Sequence, residues 1–223
     1  MKLLMHTCCA PCSVYCIDSL RAENIEPTLF WYNPNIHPYI EYKTRRDCLK
    51  DYAASIDVNL IIDEEYGLDE FCKNVVSDLE NRCVNYCYKK RLTETVRYAA
   101  HHGYDTFTTT LLVSPYQKHD ELIAVCKELE ALSGVKFLYR DFRVGFREGQ
   151  AKARALGLYL QKYCGCIFSE EDRYKKQILR DAATTPKPAL ADAPTLSDLS
   201  IRPSLMDPVP PNLSTTPITP EAI

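Results

Sequence analysis

The chain has 223 residues, of which 46% are hydrophobic, and a formal net charge of −3. This length supports one substantial hydrophobic core and argues against a second full-sized domain. The net charge excludes a uniformly basic nucleic-acid-binding protein, although a local basic patch would still permit salt-sensitive binding. The sequence has no apolar run of about 18 residues or more, so we expect no membrane-spanning segment.

Cysteine is unusually frequent, with 11 residues in the chain. The sequence begins with a short apolar run at residues 2–5 and lacks the basic and apolar regions of a secretion signal there. We therefore expect a cytoplasmic protein. In that compartment, clustered cysteines indicate metal or redox chemistry in preference to disulfide bonds.

The predicted elements alternate between strands and helices. Residues 2–7 form the first predicted strand, and Ser13 is the predicted N-cap of the helix that follows. Further strands are predicted at 27–33, 58–63, 105–112 and 135–140. Helices are predicted at 39–55, 68–79 and 83–102, from Ser114 to about Leu132, at 148–156, and from Ser169 to about Leu179. This alternation predicts an α/β fold with an open parallel sheet wound on both faces.

The composition changes near residue 182. Nine of the 14 prolines lie beyond residue 181, mixed with threonine, serine and alanine. Such a stretch buries too little apolar surface to offset the entropy lost on ordering. We therefore predict an α/β domain at 1–180 and a disordered tail at 181–223.

The cysteines of interest fall in three clusters. Cys8, Cys9 and Cys12 lie at the carboxyl end of the first strand and at the start of a helix, which lowers thiol pKa values. The second cluster is Cys83 and Cys87, whose spacing places both thiols on one face of a helix. The third is Cys164 and Cys166, and the glycine between them permits a tight turn. Cys12 could be a ligand or a packing residue. The singletons are predicted to pack in the core, namely Cys16, Cys48, Cys72 and Cys126.

Spacing alone leaves several interpretations of the clusters open. Four thiolates hold either zinc or an iron–sulfur cluster. The sequence lacks the paired CxxC knuckles typical of structural zinc, and it also lacks ferredoxin-type spacing. An iron–sulfur cluster is the favoured interpretation; a zinc site, a thiol redox pair and core packing are the alternatives.

Polar residues near the clusters are candidates for supporting roles. Asp141 follows a predicted strand and is a candidate acid or metal ligand, with the Tyr163 hydroxyl as another proton donor. Two basic groups fall on predicted helices. They are Lys43, Arg45 and Arg46, and Lys89, Lys90 and Arg91. Charges like these usually form a solvated helix face, and we expect this for both groups; for the second group, an RNA-binding role is also open.

Six ordered motifs resemble the cobalamin-independent epoxyqueuosine reductases of the QueH type over residues 1 to about 175. The motifs are His6-Thr-Cys-Cys-Ala-Pro-Cys12, Tyr32 to Pro38 with Glu41-Tyr42, Arg82-Cys83 to Cys87-Tyr88, Phe107 to Gln117, Asp141-Phe-Arg143, and Gly157 to Cys166. The resemblance implies a HUP-like, Rossmann-like fold related to the PP-loop ATP pyrophosphatases. It also implies the last step of queuosine synthesis at the tRNA wobble position, in which epoxyqueuosine, two electrons and two protons give queuosine and water.

The same resemblance implies the roles of particular residues. Cys8, Cys9, Cys83 and Cys87 carry over as ligands of a 4Fe–4S cluster, and Cys164 with Cys166 as a catalytic redox pair. The Cys164 and Cys166 thiols could instead bind a second iron, and Asp141 could join one of the metals or act as the catalytic acid. The implied partners are tRNA and an electron donor that the sequence does not identify.

Two other functions remain open. One is an ATP-dependent PP-loop-type tRNA-modifying enzyme, although the first strand–helix turn carries cysteines where such enzymes need a glycine- and serine-rich phosphate loop. The other is a non-catalytic, zinc-stabilised RNA-binding module.

Overall fold

A five-stranded parallel sheet forms the centre of the protein. The computed structural model describes residues 1–184, of which Met1–Ile178 form one compact unit. The strands, in spatial order, are β3 (Leu60–Ile62), β2 (Pro27–Trp31), β1 (Leu3–His6), β4 (Thr106–Thr109) and β5 (Lys136–Phe137). This order matches the first five strands of a doubly wound, Rossmann-like sheet, so the predicted α/β class with an open parallel sheet is confirmed.

Helices and short turns connect these strands. The α-helices are α1 (Ala10–Ala22), α2 (Tyr39–Ser55), α3 (Leu68–Val75), α4 (Lys89–His101), α5 (His119–Ser133), α6 (Phe146–Ala155) and α7 (Ile167–Thr184). A π-helix spans Cys83–Tyr88, and 3₁₀ turns span Thr110–Val113 and Phe142–Gly145. Within residues 1–184, no helix has the length and apolarity needed to cross a bilayer.

The central strands carry the core. Every residue of β1 and of β4 is buried, which requires cover on both faces of the sheet. The two strands pair in register, with Leu3 opposite Thr106 and His6 opposite Thr109. Their carboxyl ends therefore meet at one edge of the sheet.

The first helix starts earlier than predicted. It begins at Ala10 with Cys9 as its N-cap, and Pro11 lies in its first turn, where a missing N–H costs nothing. Ser13 Oγ donates to the Ala10 carbonyl at 2.7 Å, so this serine is not a cap and that prediction is wrong. The earlier start makes Cys9 the N-cap and places Cys12 in the first turn of the helix.

The segment after β4 also differs from the prediction. Thr109 Oγ1 accepts the Leu111 N–H at 3.2 Å and begins a 3₁₀ turn, which ends the strand before residue 112. Ser114 Oγ accepts the Tyr116 N–H at 3.3 Å, so this serine closes a turn. Helix α5 therefore begins at His119 and not at Ser114.

The helix predicted at 83–102 has two parts. Its first six residues, Cys83–Tyr88, form the π-helix, and α4 continues from there. π-Helical turns often occur at functional sites. Gly103 has a φ of +66° and ends this helix as predicted. The predicted tail at 181–223 lies almost entirely outside the described residues, so the predicted domain boundary stays a prediction.

Candidate active site

The carboxyl ends of β1 and β4 adjoin at the point where the strand order reverses. In open parallel sheets, ligands bind in the crevice outside such a point. Cys8 and Cys9 follow β1, and Thr110 follows β4. The Cys8 N–H donates to Thr110 Oγ1 at 3.2 Å, which ties the two strand ends together.

Three thiols converge at this point, and we refer to Cys8, Cys9 and Cys12 as the N-terminal thiol group. Their sulfur atoms all lie within 4.8 Å of one another, and all three residues are buried. Hydrogen bonds from Cys12 and Cys9 hold the pKa of the Cys8 thiol well below its usual value, whereas burial raises the pKa of Cys9. Three buried thiols at this spacing could hold a metal ion, and Cys12, which the sequence left ambiguous, belongs to the set.

Gln161 approaches the same thiols from a distant part of the chain. Its Nε2 donates to Cys9 Sγ at 3.0 Å and to Cys12 Sγ at 3.5 Å. Its Oε1 is buried and has no partner among the described residues. Sequence reasoning missed this residue, because a lone glutamine three residues before a CxC motif gives no signal of its own.

A second set of thiols lies on the π-helix and on the loop before α7. We refer to Cys83, Cys87, Cys164 and Cys166 as the second thiol group. Cys87 and Cys166 are buried in one small apolar cluster, together with Phe71, Val75 and Tyr86. Cys164 is exposed instead, and it accepts a hydrogen bond from Gln117 Nε2 at 3.5 Å.

Cations surround the second thiol group. A hydrogen bond from Cys87, followed by the charges of Arg82, Arg91 and Lys118, lowers the pKa of the Cys83 thiol to about 6. Arg91 is only 2% exposed, and its Nε donates to the Cys87 carbonyl at 2.8 Å. Arg91 is therefore not part of an exposed basic surface, although it lines the cleft, and its RNA-binding role stays a prediction.

The loop that carries Cys164 is fixed by a buried arginine. Arg45 is 1% exposed, pairs with Glu41 at 2.7 Å, and donates to the carbonyls of Tyr163 at 3.0 Å and Cys164 at 2.8 Å. The sequence placed Arg45 in an exposed basic group, and the structure corrects this: α2 presents it inward.

The turn between β2 and α2 supports the same loop. The His37 N–H donates to the Gly165 carbonyl at 2.8 Å, and the Tyr163 hydroxyl donates to the His37 carbonyl at 2.7 Å. A side chain at position 165 would come within 3.2 Å of Ile36, so glycine suits this close approach. The backbone of residues 163–165 is thus held at three successive carbonyls.

One cleft joins the two thiol groups. It has a volume of about 1170 Å³, and Cys8, Cys12, Cys83 and Cys164 all line it. Cys9 and Cys87 do not line the cleft, but each lies next to a thiol that does, Cys8 and Cys83 respectively. Buried thiols, nearby cations that favour thiolates and an unpaired Gln161 oxygen together make a donor set suited to a thiolate-bound metal centre.

Asp141 does not line this cleft. Both of its carboxylate oxygens bind Arg143 at 2.7 Å, and Oδ1 also accepts the Arg143 N–H. Arg143 lowers the pKa of this carboxyl to about 2, so it is ionised at neutral pH. An ionised carboxylate can accept a proton or bind a cation, but it cannot donate a proton, and this geometry gives no support to the acid role considered for Asp141.

The fold and the site together define a class: α/β proteins with a thiol-lined cleft at the switch point of a parallel sheet, a cleft suited to metal binding or thiol redox chemistry. Comparison with known proteins then narrows the class. The family model for epoxyqueuosine reductase QueH matches residues 3–172. The chain belongs to this family, as the six sequence motifs indicated.

Individual relatives agree with this family. Epoxyqueuosine reductase QueH of Dehalococcoides mccartyi is 37% identical over 175 residues, covering 78% of this chain and 96% of the relative. The protein of the same name from Thermotoga maritima is 35% identical, with 78% and 93% covered. A crystal structure of a predicted subunit of tRNA methyltransferase from Methanocaldococcus jannaschii aligns with a TM-score of 0.43 and 13% identity, covering 82% of this chain and 90% of the other.

Proposed function

We propose that this protein reduces epoxyqueuosine to queuosine in tRNA and holds a 4Fe–4S cluster between its two thiol groups. The observation that carries the proposal is that thiols from distant parts of the sequence, Cys8 and Cys12 against Cys83 and Cys164, line one cleft. Four thiolates are the usual ligand set of such a cluster. The candidates are Cys8, Cys9, Cys83 and Cys87, with Cys12 as a further donor in the N-terminal group.

The cleft suits a modified nucleoside. Its volume of about 1170 Å³ slightly exceeds that of ordinary small-molecule sites, which span roughly 300–1,000 Å³. An unpaired base and its epoxide-bearing side group can enter a site of this size, whereas a duplex cannot. Because the substrate base belongs to tRNA, we place the enzyme in the cytoplasm.

Removing the epoxide oxygen requires two electrons and two protons, and the products are an alkene and water. A bound iron–sulfur cluster would supply electrons one at a time. The Cys164 and Cys166 thiols can supply the pair: their oxidation to a disulfide releases two electrons and two protons, which balances the reaction. An external donor, still to be identified, then restores the dithiol.

The remaining side chains have supporting roles in this proposal. Arg91 and Lys118 stabilise thiolates in the second group, and Gln161 orients Cys9 and Cys12. Tyr163 lines the cleft, and burial raises the pKa of its hydroxyl, so it keeps its proton at neutral pH. A protonated hydroxyl can give a proton to the departing oxygen, which the ionised Asp141 cannot, but the Tyr163 hydroxyl must first release its bond to the His37 carbonyl.

Anaerobic purification followed by iron and sulfide analysis tests the cofactor. Incubation of the loaded protein with tRNA bearing epoxyqueuosine and a chemical reductant tests the reaction, read as loss of one oxygen from the nucleoside mass. Protein that holds zinc and no iron would favour the RNA-binding module instead. Iron-loaded protein that leaves the epoxide intact would contradict the reductase assignment.

A further inference from the structure

Four cationic side chains stand at the mouth of the thiol-lined cleft. Arg147 and Arg154 lie on α6, Lys162 lies in the loop that follows, and Arg173 lies on α7. All four are exposed, and none forms an ion pair within residues 1–184. We refer to these four residues as the basic rim.

Cations elsewhere on the same surface are mostly neutralised. Lys152, also on α6, pairs with Asp18 at 2.6 Å, and Arg140 pairs with Glu23 at 2.7 Å. The cleft itself is lined by seven cationic side chains and by only two carboxylates, Glu80 and Asp172. Asp172 is already bound to Arg82. A chain of net charge −3 thus concentrates positive charge at this one opening.

An aromatic ring stands beside the rim. Tyr116 is 84% exposed, and its ring meets Phe146 edge to face, with centroids 6.0 Å apart. Both rings line the cleft. A tyrosine that is so exposed, yet supported by a second ring, offers a flat face on which an unpaired base can stack.

We propose that the basic rim and Tyr116 dock a single-stranded RNA loop. The rim cations bind its phosphates, Tyr116 stacks on a neighbouring base, and the modified base enters the cleft towards Cys8, Cys83 and Cys164. This docking surface rests on the proposed function for its substrate. The concave opening favours a loop over a duplex, because only an unpaired base can leave its neighbours and reach thiols at the floor.

Charge substitutions test the rim. We expect the double variant Arg147→Gln/Arg154→Gln to bind an anticodon stem–loop RNA at least tenfold more weakly at low salt. The slope of log affinity against log salt should also fall by about 1.4, since two phosphate contacts are lost and each contributes roughly 0.7 on single strands. Lys152→Gln, on the same helix but outside the cleft, is the matched control and should keep both quantities.

Substitutions of Tyr116 test the stacking platform. Tyr116→Ala should weaken binding about tenfold at both low and high salt, because stacking does not depend on charge. Tyr116→Phe keeps the ring and should bind as the unaltered protein does. A loss with Phe equal to that with Ala would overturn the stacking role.

The outcomes separate this proposal from the reductase assignment. Iron content, measured for each variant, verifies that the cleft is intact. If the unaltered protein reduces the tRNA epoxide while the rim variants bind and turn over equally well, the docking surface is wrong and the reductase assignment stands. If rim variants bind RNA normally but accept electrons more slowly from an acidic reductant protein, the rim is an electron-donor site and the RNA proposal is overturned.

Discussion

The two thiol groups are built in different ways. The N-terminal thiol group comes from five consecutive positions at one strand–helix turn, and all three sulfurs are buried. The second thiol group combines a π-helix with a loop some 80 residues further along, and Cys164 is exposed while Cys166 is buried. The first geometry follows from the fold of the sheet itself. The second depends on contacts that hold a loop in place, so it is the part that can be loosened without unfolding the core.

The largest expected effect tests whether both groups hold one centre. We expect Cys9→Ser and Cys87→Ser each to remove most of the iron and to lower turnover by more than about 100-fold, because a serine hydroxyl is a poor substitute for a thiolate ligand. Iron analysis and nucleoside mass measure the two effects. Cys126→Ser, a buried thiol of α5 outside the site, is the control and should keep its iron. If one of the two variants kept full iron content and activity, the groups would be independent.

The second prediction tests whether Cys164 differs in role from the proposed ligands of the second thiol group. Cys164→Ser should keep most of the iron but lower turnover by about 100-fold or more, since Cys164 lines the cleft and is proposed to act as a redox group and not as a ligand. The same two measurements apply. Loss of iron in proportion to loss of turnover would make Cys164 a ligand, and the redox pair would have to be abandoned.

The third prediction concerns Arg45, which holds the loop that carries Cys164. Arg45→Met leaves the carbonyls of Tyr163 and Cys164 without their donor and Glu41 without its cation. Breaking a buried pair in this way costs about 3–5 kcal/mol of unfolding free energy. Denaturant unfolding measures the loss.

The neighbouring residue provides the control for Arg45. Arg46→Met removes pairs with Asp47 and Glu64, whose side chains are 42% and 60% exposed, and should cost about 1 kcal/mol or less. Arg45→Lys should restore little, because an ammonium cannot bind two carbonyls and a carboxylate in the planar arrangement of a guanidinium. Equal losses in the Arg45 and Arg46 variants would show that the loop does not depend on the buried ion pair.

The sequence predicted the sheet well because buried parallel strands are apolar runs that alternate with helices. It was wrong about two helix starts, at Ser13 and Ser114, since each serine makes a local hydrogen bond that competes with capping. It also missed the π-helix, whose pattern over Cys83–Tyr88 does not differ from that of an ordinary helix.

From the residues alone, the site was predictable only where its members are adjacent in the chain; the link from these to the second thiol group came from the family resemblance. Cys8, Cys9 and Cys12 stand together in the sequence, so their convergence follows from one turn. Arg45 and Arg91 were placed among surface cations, because a helical position alone does not reveal which face is buried. Arg45 binds the Cys164 carbonyl, which tertiary contacts bring to it from 119 residues away. Arg91 binds the Cys87 carbonyl one turn earlier on its own helix, so there only the burial of that helix face escaped prediction.

The smallest expected effect is a loss of stability at low pH through His37, whose turn holds the loop that carries Cys164. Burial lowers the pKa of His37 from its ordinary 6.5 to about 4, and its ring packs against Tyr66 and Phe71. Between these pH values the unfolded chain binds a proton that the folded protein excludes, so the free energy of unfolding falls as the pH drops from 6.5 to 4. The limit is about 3.5 kcal/mol, at roughly 1.4 kcal/mol per pH unit.

Replacing His37 by glutamine isolates this contribution. The amide can still donate to the Pro34 carbonyl that His37 Nε2 contacts at 3.2 Å, but it does not titrate. We therefore expect a flatter pH dependence of unfolding for His37→Gln, and an unchanged one for His101→Gln at an exposed position of α4. His6, whose pKa burial lowers to about 3, adds to the slope in both proteins and cancels in their difference. An identical slope in His37→Gln and the unaltered protein would mean that His37 titrates as it does in the unfolded chain, and acid would then not act on the second thiol group through this turn.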